Sequence, residues 1–134
     1  MNHTILCVDD DPITLMLYKK VIVKAEFGDT ILFAQNGEEA LDLLKKIKNQ
    51  DTDTSASQIP DIIFLDLNMP VMNGWDFLEH FSKDLCNENK QIKVIILSST
   101  IDPSDYLRAK QYEVVKDFLS KPLTVEMLQN LKIE

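Results

Sequence analysis

The chain has 134 residues and a formal net charge of −8, enough for one domain with a single core and the wrong sign for a nucleic-acid or anionic-membrane surface. No apolar run is long enough to cross a bilayer, and Met1-Asn2-His3-Thr4 lacks the basic start of a signal peptide. Cys7 and Cys86 stand far apart, which fits reduced thiols and a cytoplasmic location, and the isolated His3 and His80 give no Cys/His metal spacing.

Residues 5–8 read as a short buried strand, with Asp9, Asp10 and Asp11 directly after it. Asp11 and Pro12 suit the cap and first position of a helix. Helical spacing puts Ile13, Met16, Leu17, Val21 and Ala25 on one inward face, and Gly28 is the expected left-handed residue past the helix end. Residues 30–34 form a second strand. Asn36-Gly37 then turns into a helix whose inward residues are Ala40, Leu41, Leu44 and Ile47. Residues 49–58 are polar and read as a surface loop within one domain.

The third strand runs apolar from Ile62 to Leu65 and meets Asp66. Pro70 and Asn73-Gly74 force a loop there, and Asn73 caps a helix with Phe77, Leu78, Phe81 and Leu85 inward. A fourth strand over residues 92–97 stops at Ser98, Ser99 and Thr100. Asp102-Pro103 repeats the cap-plus-proline device. Residues 114–119 contain the fifth strand, followed by Ser120-Lys121-Pro122, and Thr124 caps a last short helix through Leu131.

Alternating strands and helices imply an α/β fold: a doubly wound parallel sheet of five strands with helices on both faces. The third and fourth strands have the longest apolar runs and should be central, with the second at an edge. In such a sheet the strands' C-terminal ends share one edge, where ligands bind. That edge collects Asp9 and Asp10, Asp66, Ser98 and Lys121. Each has an ordinary explanation alone: Asp66 a turn residue, the acidic run a favourable charge at a helix start, Ser98 a turn residue, Lys121 a solvated side chain. Together they suit phosphoryl transfer. Clustered carboxylates repel unless a hard cation such as Mg²⁺ joins them, and the Lys and Ser can hold oxyanions.

Val8-Asp9-Asp10, Asp66-Leu67-Asn68-Met69-Pro70 with Asn73-Gly74, Ser98 and Lys121-Pro122 together resemble the response-regulator receiver domains of two-component signalling, the CheY type. The resemblance covers essentially the whole chain and implies a flavodoxin-like sheet of order 2-1-3-4-5. It implies Asp66 as phosphoacceptor, Asp10 as a direct Mg²⁺ ligand and Asp9 as a ligand through water. Asn68 would give its backbone carbonyl to the metal. Ser98 matches the hydroxyl switch residue, Lys121 the partner of the phosphoryl oxygens, Pro122 a position after a cis bond, and Phe118 the aromatic switch position. The implied partners are a histidine kinase or histidine phosphotransfer protein and a downstream protein target, without direct DNA binding or membrane insertion. The expected organisation is a single receiver domain over residues 1–134, stand-alone or excised, with no output domain after Glu134. It is not an enzyme in the ordinary sense; phosphoryl transfer and loss would be self-catalysed.

Two other readings compete. Asp9-Asp10-Asp11 also resembles the Asp-x-Asp of haloacid-dehalogenase-type phosphatases, with Asp9 as nucleophile and Asp11 as acid/base. That leaves Asp66 without a role. A phosphorylation-independent interaction module would leave the whole acidic set and Lys121 without one.

Overall fold

The computed structural model describes residues 4–49, 60–84, 92–99 and 102–131. The strands are β1 (Thr4–Val8), β2 (Thr30–Ala34), β3 (Ile62–Asp66), β4 (Lys93–Ser98) and β5 (Val115–Ser120). The helices are α1 (Pro12–Lys24), α2 (Gly37–Asn49), α3 (Gly74–Asp84), α4 (Pro103–Ala109) and α5 (Val125–Asn130). The strands pair in parallel in the order β2-β1-β3-β4-β5, so β3 is central and β2 is an edge, as the apolar runs require. The sequence step from β2, beside β1, to β3, on its other side, reverses the direction of winding. That opens the crevice beyond the ends of β1 and β3.

Strand side chains alternate between two cores. Leu6, Val8, Ile63, Leu65, Val94 and Ile96 face the Ala40, Leu41 and Leu44 side of α2 and the Phe77, Leu78 and Phe81 side of α3. Ile5, Cys7, Ile62, Phe64, Ile95 and Leu97 face α1 and α5. Pairing of β5 with β4 slips between Val94 and Ile95, opposite Val115 and Asp117, so β5 carries one extra residue. The slip turns Phe118 to the same face as Val115, which an unbroken period of two would forbid.

The face of α1 differs from the expected one. Leu15, Tyr18 and Ile22 are buried, whereas Ile13, Met16 and Leu17 are 69%, 59% and 51% exposed; Val21 and Ala25 are half-buried. The helix is apolar around most of its circumference, so the 3.6-residue period offers two stripes. The stripe of Leu15, Tyr18 and Ile22 is the one that packs into the core, and Asp11 caps the helix, its carboxylate accepting the Ile13 N–H at 3.0 Å. Gly28 is not the terminator either. Glu26 takes the left-handed conformation at φ 53°, and Phe27 N–H and Glu26 N–H donate back to Ile22 and Val23 at 3.1 Å each. This is a Schellman ending, and it tolerates Glu26 because it places Phe27 against the Phe64 ring. The expected loop over 49–58, apart from the Asn49 backbone, and the side chains of Ile47, Leu85 and Cys86 lie outside the described residues.

Candidate functional site

β1 and β3 hydrogen-bond side by side, so their ends deliver Asp9 and Asp66 to the same place. One carboxylate oxygen each from Asp9, Asp10 and Asp66 lies within 4.8 Å of the others. Asp9 and Asp66 are buried and Asp10 is exposed. Lys121 reaches in from the β5 end. Its Nζ is 2.8 Å from Asp9 Oδ2 and 3.3 Å from Asp66 Oδ1. The Lys121 backbone N–H donates to the Ser98 carbonyl at 2.8 Å, which ties the ends of β4 and β5 together. Ser98 itself is 2% exposed. The Lys121–Pro122 peptide is cis, as the resemblance implies.

The electrostatics reflect this crowding. Burial pushes the Asp66 carboxyl up and the Asp9 charge adds to it, while Lys121 and the Asn68 N–H pull it down; the net direction is up. Burial alone would lower the Lys121 ammonium, but Asp9 and Asp66 outweigh it and hold it above its ordinary value. Burial, with Asp9 next, raises the Cys7 thiol to about 12, so it stays protonated. Two carboxylates and one ammonium in a shallow, half-dry crevice leave net negative charge. With the exposed Asp10 beside them, an all-oxygen donor set of this kind suits a hard divalent cation.

The sequence missed Tyr18. Its ring is buried and its hydroxyl donates to Asp9 Oδ2 at 3.1 Å. Burial first, then Asp9, drives its pKa far up, so it remains a donor. A buried Tyr needs a partner for its hydroxyl, but the sequence alone does not show which face of α1 is buried, so it carried no signal for this contact.

Asp11 does not join the cluster. Its oxygens serve the Ile13 N–H and the Thr14 hydroxyl, each at 3.0 Å. The phosphatase reading needs Asp11 as its acid/base, and Asp11 is instead occupied as the helix cap. Asn68 is exposed beyond β3. Phe118 is 9% exposed and packs edge-on against Tyr106 with centroids 6.1 Å apart. After the bulge in β5 the ring of Phe118 is turned inward in this structure.

Residues 5–132 match the family model for the response regulator receiver domain. PilH of Pseudomonas aeruginosa is 30% identical over 92% of this chain and 89% of its own. The two-component response regulator ARR2 of Arabidopsis thaliana is 32% identical over 97% of this chain, which spans 17% of that protein. The chain likewise spans 15% of the sensor histidine kinase CheAY of Helicobacter pylori. A two-component response regulator structure from Cytophaga hutchinsonii superposes with a TM-score of 0.86 at 29% identity, covering 97% of this chain and 94% of that one.

Proposed function

The chain belongs to the response regulator receiver domain family and serves as a phosphorylation-dependent signalling receiver, and we propose that Asp66 is the residue that takes the phosphoryl group. The observation that carries this is the position of Lys121 Nζ, 2.8 Å from Asp9 and 3.3 Å from Asp66 at one sheet edge. An Asp66 oxygen attacks the phosphorus of a phosphohistidine or a small acyl phosphate. The bond from phosphorus to the donor's nitrogen or oxygen breaks, and its electron pair leaves with the imidazole or carboxylate. The product is an acyl phosphate on Asp66. Asp9, Asp10, Asp66 and the Asn68 backbone carbonyl are the groups that would hold Mg²⁺. When bound, Mg²⁺ supplies positive charge against the phosphoryl oxygens. Lys121 turns from the carboxylates to the phosphoryl group, and the Ser98 hydroxyl donates to another of its oxygens. Hydrolysis later returns Asp66 to its free state, so the chain is a self-acting receiver and not a turnover enzyme.

The donor is a histidine kinase or a histidine phosphotransfer protein in the cytoplasm, and the output is altered binding to a downstream protein. The exposed Ile13, Met16 and Leu17 of α1 begin two residues after the acidic run, and a groove of about 380 Å³ is lined by Leu17, Tyr18 and Val21 of α1 together with Lys121 and Leu123. They offer a donor protein apolar area next to the reacting carboxylate. Ser98, drawn toward the new oxyanion, shifts the end of β4 and the start of α4, and the Tyr106–Phe118 packing changes with it. Incubation with acetyl phosphate and Mg²⁺ tests the assignment. The wild-type chain should take up one phosphoryl group and Asp66→Asn none; equal uptake by the two would refute it.

A further inference from the structure

Asp9 is 1% exposed, and its carboxylate is engaged on both oxygens. Oδ1 accepts the Asp11 N–H at 3.0 Å. Oδ2 accepts Lys121 Nζ at 2.8 Å and the Tyr18 hydroxyl at 3.1 Å. A carboxylate oxygen offers two lone-pair sites, so these two donors saturate Oδ2. They differ in mobility. Lys121 is 21% exposed at the end of a flexible four-carbon stem and already serves Asp66 at 3.3 Å. Tyr18 is 3% exposed and its ring is fixed in the core against β1 and α5, so its hydroxyl stays at one height.

We propose that Tyr18 is a positioning residue: it holds Asp9 in place at the metal and phosphoryl site while Lys121 leaves Asp9 for a phosphoryl group on Asp66. This rests on the proposed function above. If Tyr18 lacked its hydroxyl, departure of Lys121 would strip both protein donors from a buried oxygen and leave only the metal site to hold it. Leaving a buried charged acceptor unpaired is costly, so Asp9 would either retain Lys121 or rotate away from the site. Tyr18 removes that conflict. Its hydroxyl touches Asp9 and no reacting atom, so it acts through Asp9. Outer partners of this kind commonly tune the ligands they hold.

Tyr18→Phe keeps the ring and deletes the hydroxyl. Two calorimetric titrations of the full chain separate the roles: Mg²⁺ alone, where Lys121 stays on Asp9, and beryllofluoride in saturating Mg²⁺, where Lys121 must turn to the phosphoryl mimic. The expected result is a small change for Mg²⁺ alone and an affinity for beryllofluoride weakened about 10-fold, the scale seen when an outer partner is lost. Equal changes in the two titrations, or none in either, would overturn the proposal; so would a lower melting temperature with both affinities kept, which marks a purely structural hydroxyl. Asp66→Asn is the control. If it still binds beryllofluoride, the proposed function fails and takes the Tyr18 role with it; if it does not, an unaltered Tyr18→Phe sinks the Tyr18 role alone.

Discussion

Asp66 is strained by its own surroundings. Burial and the Asp9 charge hold its carboxyl above the ordinary range despite Lys121 and the Asn68 N–H. An acid whose pKa rises on folding binds more protons in the folded chain. Its stabilising contribution is therefore fully present below the unfolded value, about 3.9, and lost as pH rises through the folded value. Asp66→Asn cannot ionise. Without Mg²⁺ it should melt at or above the wild-type temperature at pH 7, and the gap should close as pH falls toward 4. Melting curves across that range check this, and a gap that widens toward low pH would contradict the sign. A cation bound here would relieve that repulsion, whereas a phosphoryl group would add negative charge and so depend on the cation and on Lys121 for compensation.

At the scale of elements, the loop after β3 is held by two glycines that act through close approach. A Cβ on Gly74 would stand 2.6 Å from the Asp66 carbonyl oxygen and 2.9 Å from the Leu67 Cα. One on Gly37 would meet the Met72 side chain at 2.8 Å, where the Gly37 N–H donates to the Met72 carbonyl. Between them Val71 sits at φ 68°, with Met72 N–H bonded back to the Pro70 carbonyl at 2.7 Å. A β-branched residue is strained in that tight turn. The loop thus clasps the end of β3 through contacts that allow little slack. Gly74→Ala should cost about 1–3 kcal/mol in urea unfolding, the scale of overpacking. A neutral result would mean that the strand end yields. In the proposed mechanism the output element is the end of β4. On adding Mg²⁺ and beryllofluoride, amide exchange should change from residue 102 to 110 and around Phe118, and Ser98→Ala should suppress those changes. Changes confined to α2 would place the output elsewhere.

Across the whole molecule, the full strand order came only with the family resemblance, whereas the parallel sheet and the collection of Asp9, Asp10, Asp66, Ser98 and Lys121 on one edge could be read from the residues themselves. They depend on strand–helix alternation and on the residue types just past each strand's end, and both are local. The buried face of α1 could not, because Ile13, Met16 and Leu17 compete with Leu15, Tyr18 and Ile22 at equally good spacing. Tyr18 was lost with that choice. The bulge in β5 and the left-handed Glu26 leave no local mark either, since each is imposed by a neighbour: β4 in one case, Phe64 in the other. The net charge of −8 is consistent with a site that gathers carboxylates. In the proposed function, one carboxylate among many takes the phosphoryl group. An acyl phosphate is reduced by borohydride to an alcohol, so an aspartyl phosphate becomes homoserine at the position that carried it. After treatment with acetyl phosphate and Mg²⁺, borohydride reduction and peptide mapping, homoserine should appear at position 66 and nowhere else; homoserine at position 9 or 10, with none at 66, would contradict the account.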